Sequence, residues 1–451
     1  MAVAGEEARA PKLRVFFIPF FATSHIIPMT DIACQLAKRR LAEPTMVITK
    51  ANAALIRLHS RPLRLLRLHR PTPPSTLSLL GRTPPFRYRE PWFRLVRRVP
   101  EDLQSRRPLP ETPKIVLYNP VHDHVPTDSH QFTIPDLPGP SIKMVKSELP
   151  EFLKHHDFLT SAWDDLKKSQ LESYGVVVNT FYELEHEYCD YYRKVDCQRA
   201  WFVGPVALCD EQGKAGRGGG ESEAARENRE RCMRWLGGKE AGSVMFVCFG
   251  SWCYLEDEQL REMALGLEAS GMEFLWVLRG DGEHLKTEWM PEGWEERVQG
   301  KGLVVKGWAP QSAILDHEAV GVFMTHCGWN SLLEGLGSGK PMLTWPLAFD
   351  HFITERLVVE VLKVGVRVWD GFRSTFEKEK VVVPAEAIER AVRKFIEGSG
   401  EGEEMRKRAA KWAEIAGAAV AEGGSSHKDL NSLIDDLFVL QRERKNGKHI
   451  E

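Results

Sequence analysis

Apolar runs alternate with stretches of helical polar patterning along most of the chain. Residues 13–20 read as an apolar strand, followed by a polar loop, Ala22-Thr23-Ser24-His25. Residues 26–39 then carry a helical pattern, with Pro28 near the first turn and Lys38, Arg39 and Arg40 at the end. Residues 45–49 give a second strand. This βαβ opening predicts a parallel, doubly wound sheet, in which ligands gather at the carboxyl ends of the strands. His25 stands in that crevice position. Residues 175–179 form a further strand leading into a helix. Residues 211–227, EQGKAGRGGGESEAARE, are Gly-rich and charged, and read as an exposed linker. A second α/β series begins beyond it. Its strands fall at 244–249, 274–278, 303–305 and 320–325, with a turn at Gly250-Ser251 and a helix over 260–267. Residues 422–437 read as a loop and an amphipathic helix. The expected division is a first domain over 1–209, a linker over 210–239, a second domain over 240–424, and a C-terminal helix with tail over 425–451.

One interval breaks the pattern. Residues 56–113 are rich in Arg and Pro, contain no Lys, and show no buried-strand pattern. Their single Asp is Asp102, in a polar context. Scattered prolines and missing helical periodicity argue against an organised nucleic-acid or membrane patch there. The first domain is therefore expected to lack strands.

The candidate chemistry is concentrated between Trp308 and His351, WAPQSAILDHEAVGVFMTHCGWNSLLEGLGSGKPMLTWPLAFDH. Trp308 offers a flat π-face for a base, and Gln311 an amide for a base edge. Pro310 favours a helix start just behind it. The strand at 320–325, the turn through His326 and Gly328, and a helix over 331–336 together make an anion site. Backbone N–H groups and the helix dipole both favour a diphosphate at such a terminus. Gly328 lets the backbone approach closely. Asn330, Ser331 and Glu334 share a helix face, so the Glu334 carboxylate can accept from two vicinal hydroxyls beside the phosphates. Asp350 and His351 close the run. An ordinary polar βαβ turn would account for any one of these residues, His326 above all. It gives no reason for the whole constellation.

This run resembles, without insertion, the signature box of the plant family-1 UDP-dependent glycosyltransferases. FGSWCYLEDEQLREMALGLEASGMEFLWVLRG resembles the same family. SYGVVVNTFYELEHEYCDYYRKV is similar to the subgroup handling flavonols and triterpenoid or steroidal acceptors. The resemblance implies a GT-B fold: two facing Rossmann-like α/β domains with parallel sheets. The acceptor would sit mainly on the first domain and the UDP-sugar on the second, with the C-terminal helix crossing back to the first. It implies that Trp308 stacks on uracil, Gln311 contacts uracil and ribose, and Glu334 holds the ribose hydroxyls. His326, Asn330 and Ser331 would line the diphosphate. Ser251, Ala309, Gly328 and Trp329 would complete the donor site, and Asp350 and His351 would hold the sugar. Most glucose-using members end the box in Gln. His at that position is associated with galactose or arabinose donors, and imidazole is shorter and offers one donor and one acceptor when neutral.

The resemblance also implies a catalytic base. His25, in FFATSHIIP, matches it, and His suits proton abstraction near neutral pH. The family's orienting Asp lies in a strand followed by Ser-Asp-x-Phe, and residues 56–113 contain no such motif. Asp31, Asp123 and Asp128 are poor substitutes by position. The interval reads as the product of a frame shift, a missed exon boundary or a damaged gene. The leading expectation is an inverting transferase acting on a small, hydrophobic, hydroxylated plant metabolite. The alternative is a catalytically impaired UDP-sugar-binding paralogue, or a truncated product lacking the catalytic Asp. A NAD-dependent enzyme is excluded, since no GxGxxG follows the first strand.

Bulk properties narrow the picture further. A length of 451 residues suits two or three domains, and 43% hydrophobic residues suffice for sizeable cores. A net charge of −2 gives no sign of a nucleic-acid partner. The 8 Cys form no CxxC pair and read as reduced core thiols of a cytoplasmic protein. The N-terminus lacks the pattern of a signal peptide, and no apolar run matches a membrane span. No Asp-x-Asp motif adjoins the box, so no metal is expected. No cofactor is expected beyond the UDP-sugar co-substrate, and the protein is expected to be a monomer.

Overall fold

The computed structural model describes residues 12–17, 19, 23–39, 42–48, 64–67, 104–105, 121–154, 170–195, 197–209, 217, 222–250, 255–278, 288–396 and 400–446. Ser251 and Asp102 lie outside these residues.

In the first domain, β1 (Leu13–Phe17) alternates buried Leu13, Val15 and Phe17 with exposed neighbours. It is followed by α1 (Thr23–Lys38), β2 (Ala42–Ile48) and β3 (Arg64–Arg67), and the strands form a parallel sheet in the order β1-β2-β3. The helix begins at Thr23, so His25 lies in its first turn and not in the preceding loop. Next come β4 (Gln104–Ser105), an antiparallel ribbon of β5 (Gln131–Thr133) and β6 (Lys143–Val145), then β7 (Val176–Val178), α2 (His186–Val195) and β8 (Ala200–Phe202). Strands β4, β7 and β8 form a second parallel sheet in the order β4-β7-β8. Strands β3 and β4 fall inside the interval 56–113, which corrects the expectation of no strand there. At 4 and 2 residues, they are too short to show a period-2 signal.

The second domain opens with α3 (Glu223–Leu236), whose N-cap Ser222 accepts from the Ala225 N–H at 3.2 Å. This helix lies within the interval expected as linker. Its Cys232 and Leu236 are buried against Val244, Phe246 and Leu275. There follow β9 (Val244–Cys248), α4 (Asp257–Ser270), β10 (Glu273–Leu278), β11 (Gly302–Lys306), α5 (Gln311–Asp316), β12 (Val320–Thr325), α6 (Trp329–Gly337), β13 (Met342–Thr344), α7 (His351–Arg356) and β14 (Gly365–Arg367). All six strands are parallel, in the order β11-β10-β9-β12-β13-β14. Both faces are covered. Met245 and Val247 face one core, while Val244, Phe246 and Cys248 face the other. Burial on both faces is why β9 reads as an unbroken apolar run.

The chain ends in α8 (Ala385–Ile396), α9 (Gly400–Val420) and α10 (Ser425–Lys445). Helix α10 returns to the first domain, burying Leu430, Leu433, Ile434 and Leu437 with Leu13, Val15 and Trp201. Asp429 on α10 accepts from the Phe202 N–H and from Arg193, both at 2.7 Å. Among the described residues, no helix is long and apolar enough to cross a membrane.

A buried ionic network ties the β5–β6 ribbon to the second domain. Glu355, on α7 and 0% exposed, accepts from Thr344 Oγ1 at 2.9 Å, Arg356 Nη1 and Arg367 Nε at 3.0 Å, and Arg373 Nη1 at 2.6 Å. Glu148 pairs with Arg356 and Arg373 from the other side. Arg356 also donates to the Lys143 carbonyl at 3.0 Å. Removing one member strands buried charge without a counterion. Glu355→Ala should therefore lower stability by about 3–5 kcal/mol, read as a reduced unfolding midpoint in denaturant. A midpoint equal to that of the unaltered protein would show that the network does not hold α7.

Candidate active site

Strand order reverses between β9 and β12, and the carboxyl ends of the strands at such a switch point are where open α/β sheets bind ligands. The turn from β12 into α6 is sharp. Cys327 adopts φ 65°, in the left-handed region that non-glycine residues rarely enter, and its N–H donates to Thr325 Oγ1 at 3.3 Å. Burial pushes the Cys327 thiol well above its ordinary pKa, so it is not a ready nucleophile. Gly328 caps α6 in extended backbone, without a side-chain cap. The first-turn N–H groups of a helix have no intrahelical acceptor, so this end attracts an anion.

His326, 8% exposed, fills the space between two glycines. A Cβ at Gly250 would lie 2.6 Å from its Cε1 and Nε2, and one at Gly328 would lie 2.4 Å from Nε2. Gly250 also adopts φ +73°. Neither position can carry a side chain unless the imidazole moves. The His326 and His351 rings meet edge to face at 4.7 Å. His351, 7% exposed, accepts the Ala348 N–H on Nδ1 at 3.2 Å, so its neutral ring carries the proton on Nε2. Asp350 precedes it at the start of α7, where its carbonyl accepts from the N–H groups of Ile353 and Thr354. Phe349, just before, is a second non-glycine residue in the left-handed region, at φ 51°.

Helices α5 and α6 bring three of the expected residues together. Gln311 Nε2 donates to Glu334 Oε2 at 2.7 Å and to Ser331 Oγ at 3.2 Å. Trp308 stands in the loop before α5, beside buried Ala309. Asn228 holds that loop, donating through Nδ2 to the Lys306 carbonyl at 3.0 Å and the Trp308 carbonyl at 2.9 Å. The Arg229 guanidinium lies 5.7 Å from the Trp308 ring centroid. Trp329 and Asn330 are placed differently from the rest. The Trp329 indole N–H donates to the Asn179 carbonyl at 2.7 Å, and Asn330 Oδ1 accepts from Asn179 Nδ2 at 3.3 Å. Their side chains thus close the seam to the first domain at the end of β7, leaving the backbone of α6 to face the crevice.

Sequence reasoning missed a central cation. Arg217, from the charged linker, has a side chain only 8% exposed. It donates to Asp31 Oδ2 at 2.9 Å, to Ser312 Oγ at 3.2 Å and to Glu334 Oε1. Burial alone would lower its pKa, but the carboxylates of Asp31 and Glu334 more than offset this and raise it. Asp31 accepts from Arg217, and His25 lies exposed in the first turn of the same helix. Asp123 and Asp128 are largely exposed, beside His122 and Lys146 respectively. No pattern marked Arg217, Asn228 or Asn179, because their partners are remote in sequence.

Two α/β domains with parallel sheets, joined again by the returning C-terminal helix, define the GT-B fold. Comparison with known proteins specifies the family. Residues 223–363 match the family model described as UDP-glucoronosyl and UDP-glucosyl transferase. UDP-glucose flavonoid 3-O-glucosyltransferase 7 of Fragaria ananassa is 36% identical over 494 residues, covering 97% of this chain and 99% of the relative. UDP-glucosyl transferase 73M2 of Saponaria officinalis is 45% identical over 331 residues, covering 70% of this chain and 66% of the relative. The crystal structure of Glycyrrhiza uralensis UGT73P12, complexed with glycyrrhetinic acid 3-O-monoglucuronide, aligns with a TM-score of 0.83 and 29% identity. That alignment covers 97% of this chain and 98% of the other. The chain belongs to the plant family-1 UDP-dependent glycosyltransferases.

Glu334 is the residue on which this geometry converges. Glu334→Ala should weaken UDP binding by about 1–3 kcal/mol in titration calorimetry. An unchanged affinity would remove Glu334 from the ribose role.

Proposed function

We propose that the protein moves a sugar from a UDP-sugar to a hydroxyl of a small hydrophobic metabolite, with inversion and with His25 as general base. The observation that carries the donor half of this reading is Glu334, a carboxylate 7% exposed, one turn behind the N-terminus of α6. Its oxygens accept from Gln311 and Arg217, which shows that it stands as a buried acceptor, and the vicinal hydroxyls of a ribose supply two donors that can replace the arginine there. With ribose at Glu334, the uracil reaches the face of Trp308 and the amide of Gln311. The diphosphate then meets the N-terminus of α6 near His326 and Ser331, and the sugar extends toward Asp350 and His351. Ser251, directly after Gly250 in the chain, is assigned to the diphosphate by the family resemblance.

In the reaction, His25 takes the acceptor O–H proton as that oxygen bonds to the anomeric carbon. The bond from this carbon to the β-phosphate oxygen breaks, and its electron pair leaves on UDP. The helix terminus stabilises the charge that develops there. The relatives named for flavonoids, and the structure holding a glycyrrhetinic acid glycoside, support flavonol and triterpenoid acceptors as the class to test.

Donor choice is assigned to His351. With Nδ1 occupied by the Ala348 N–H, the neutral ring offers the sugar an Nε2 donor and no acceptor. A Gln would offer both. Galactose and arabinose are therefore the donors to set against glucose.

Two variants test this reading. UDP-glucose, UDP-galactose and UDP-arabinose are supplied separately, with pooled flavonol and triterpenoid acceptors and mass-spectrometric detection. His25→Ala should reduce turnover by about 10²- to 10⁴-fold with UDP affinity retained. Full turnover in that variant would rule out His25 as the base. His351→Gln should shift the ratio of kcat/KM values toward UDP-glucose by roughly tenfold or more, the worth of one buried hydrogen bond. An unaltered donor ranking would show that the end of the box does not set the sugar.

A further inference from the structure

Both carboxylate oxygens of Glu334 are already engaged in the ligand-free chain. Gln311 Nε2 occupies Oε2, and Arg217 occupies Oε1. Gln311 is part of the donor site and can stay. Arg217 cannot, because a ribose diol needs the second oxygen and the space beside it. The same guanidinium reaches Ser312 on α5 and Asp31 on α1. Asp31 is 4% exposed and sits on the helix that carries His25. Arg217 therefore spans three elements: the helix bearing the base, the helix after the uracil loop, and the helix bearing the ribose carboxylate.

We infer that Arg217 is an intramolecular competitor for the donor nucleotide, a latch that holds the ribose carboxylate until a UDP-sugar displaces it. The inference rests on the reading of Glu334 as the ribose ligand. It adds a coupling that this reading does not contain. The latched state does not bind UDP, so apparent affinity falls by the fraction of molecules unlatched. Linkage works in reverse as well: UDP bound at Glu334 favours release of Arg217 from Asp31. Donor binding thus removes the bridge that Arg217 makes from α1 to α6. An empty enzyme stays pinned across its cleft, and a loaded one is released to accept the second substrate.

The latch makes opposite predictions from a donor-binding arginine. Arg217→Gln should tighten UDP binding by about tenfold in titration calorimetry, since the competitor is gone. Asp31→Asn removes one anchor and should tighten it by a smaller factor. A second readout uses the unaltered protein. An arginine held in buried ion pairs cannot enter the pocket of trypsin. Cleavage after Arg217, followed by mass spectrometry in brief digests, should increase several-fold on saturation with UDP. Weaker or unchanged UDP binding in Arg217→Gln, with cleavage after Arg217 unchanged or suppressed by UDP, would overturn the latch. The donor-site reading would survive that result as long as Glu334→Ala still loses affinity. If the unaltered protein and Arg217→Gln both failed to bind UDP, the latch and the donor site would fall together.

Discussion

The turn from β12 into α6 sets the terms for everything around it. The chain must leave a fully buried strand, reverse through a left-handed Cys327, and start a helix whose first N–H groups face the crevice. It must also leave room for the His326 ring, which is why Gly250 and Gly328 flank it. A side chain at either glycine would displace the imidazole and, with it, the edge-to-face contact with His351. The two histidines thus pack against each other, and the glycines flanking His326 make room for that contact.

Interactions between the domains are both polar and apolar beside the site, where Phe181 and Leu184 pack on Leu332, Leu333 and Leu336 of α6. Asn179 links β7 to Trp329 and Asn330, while Glu148 joins the β5–β6 ribbon to Arg356 and Arg373. Far from the crevice, α10 fastens itself to the first domain by burying leucines. Apolar burial is indifferent to small changes of angle, whereas buried ion pairs have strict partners. The C-terminal helix adds polar ties of its own, from Asp429 and Asp436 to Arg193, Phe202 and Trp201. Arg217 is another polar tie, joining Asp31 on α1 to Ser312 and Glu334.

His351, at the end of the box, serves the local fold: its Nδ1 accepts the Ala348 N–H. A substitution there must also replace that backbone acceptor.

Much of the second domain was legible from the sequence. Strands β9 to β12 are buried on both faces and stand out as apolar runs between glycines. The spacing of Gln311, Ser331 and Glu334 pointed to a shared site, because Gln311 and Ser331 lie in the first turn of a helix following a strand and Glu334 one turn further on. The short strands β3 and β4 were not legible, since a Leu-Leu pair between arginines and a Gln-Ser pair carry no period. Helix α3 was hidden in a charged stretch whose few buried residues, Cys232 and Leu236, find their core only in the assembled domain. What the sequence determined by itself were those features whose cause is local: strand and helix periods, a helix N-terminus after a glycine turn, a box of polar groups. Only the tertiary structure decided that Trp329 faces the first domain, that Asp31 accepts from Arg217, and that this linker arginine lies on Glu334. Those are choices among ionic and hydrogen-bond partners far apart in the chain, and such partners are selected by three-dimensional proximity and burial, which no local pattern encodes.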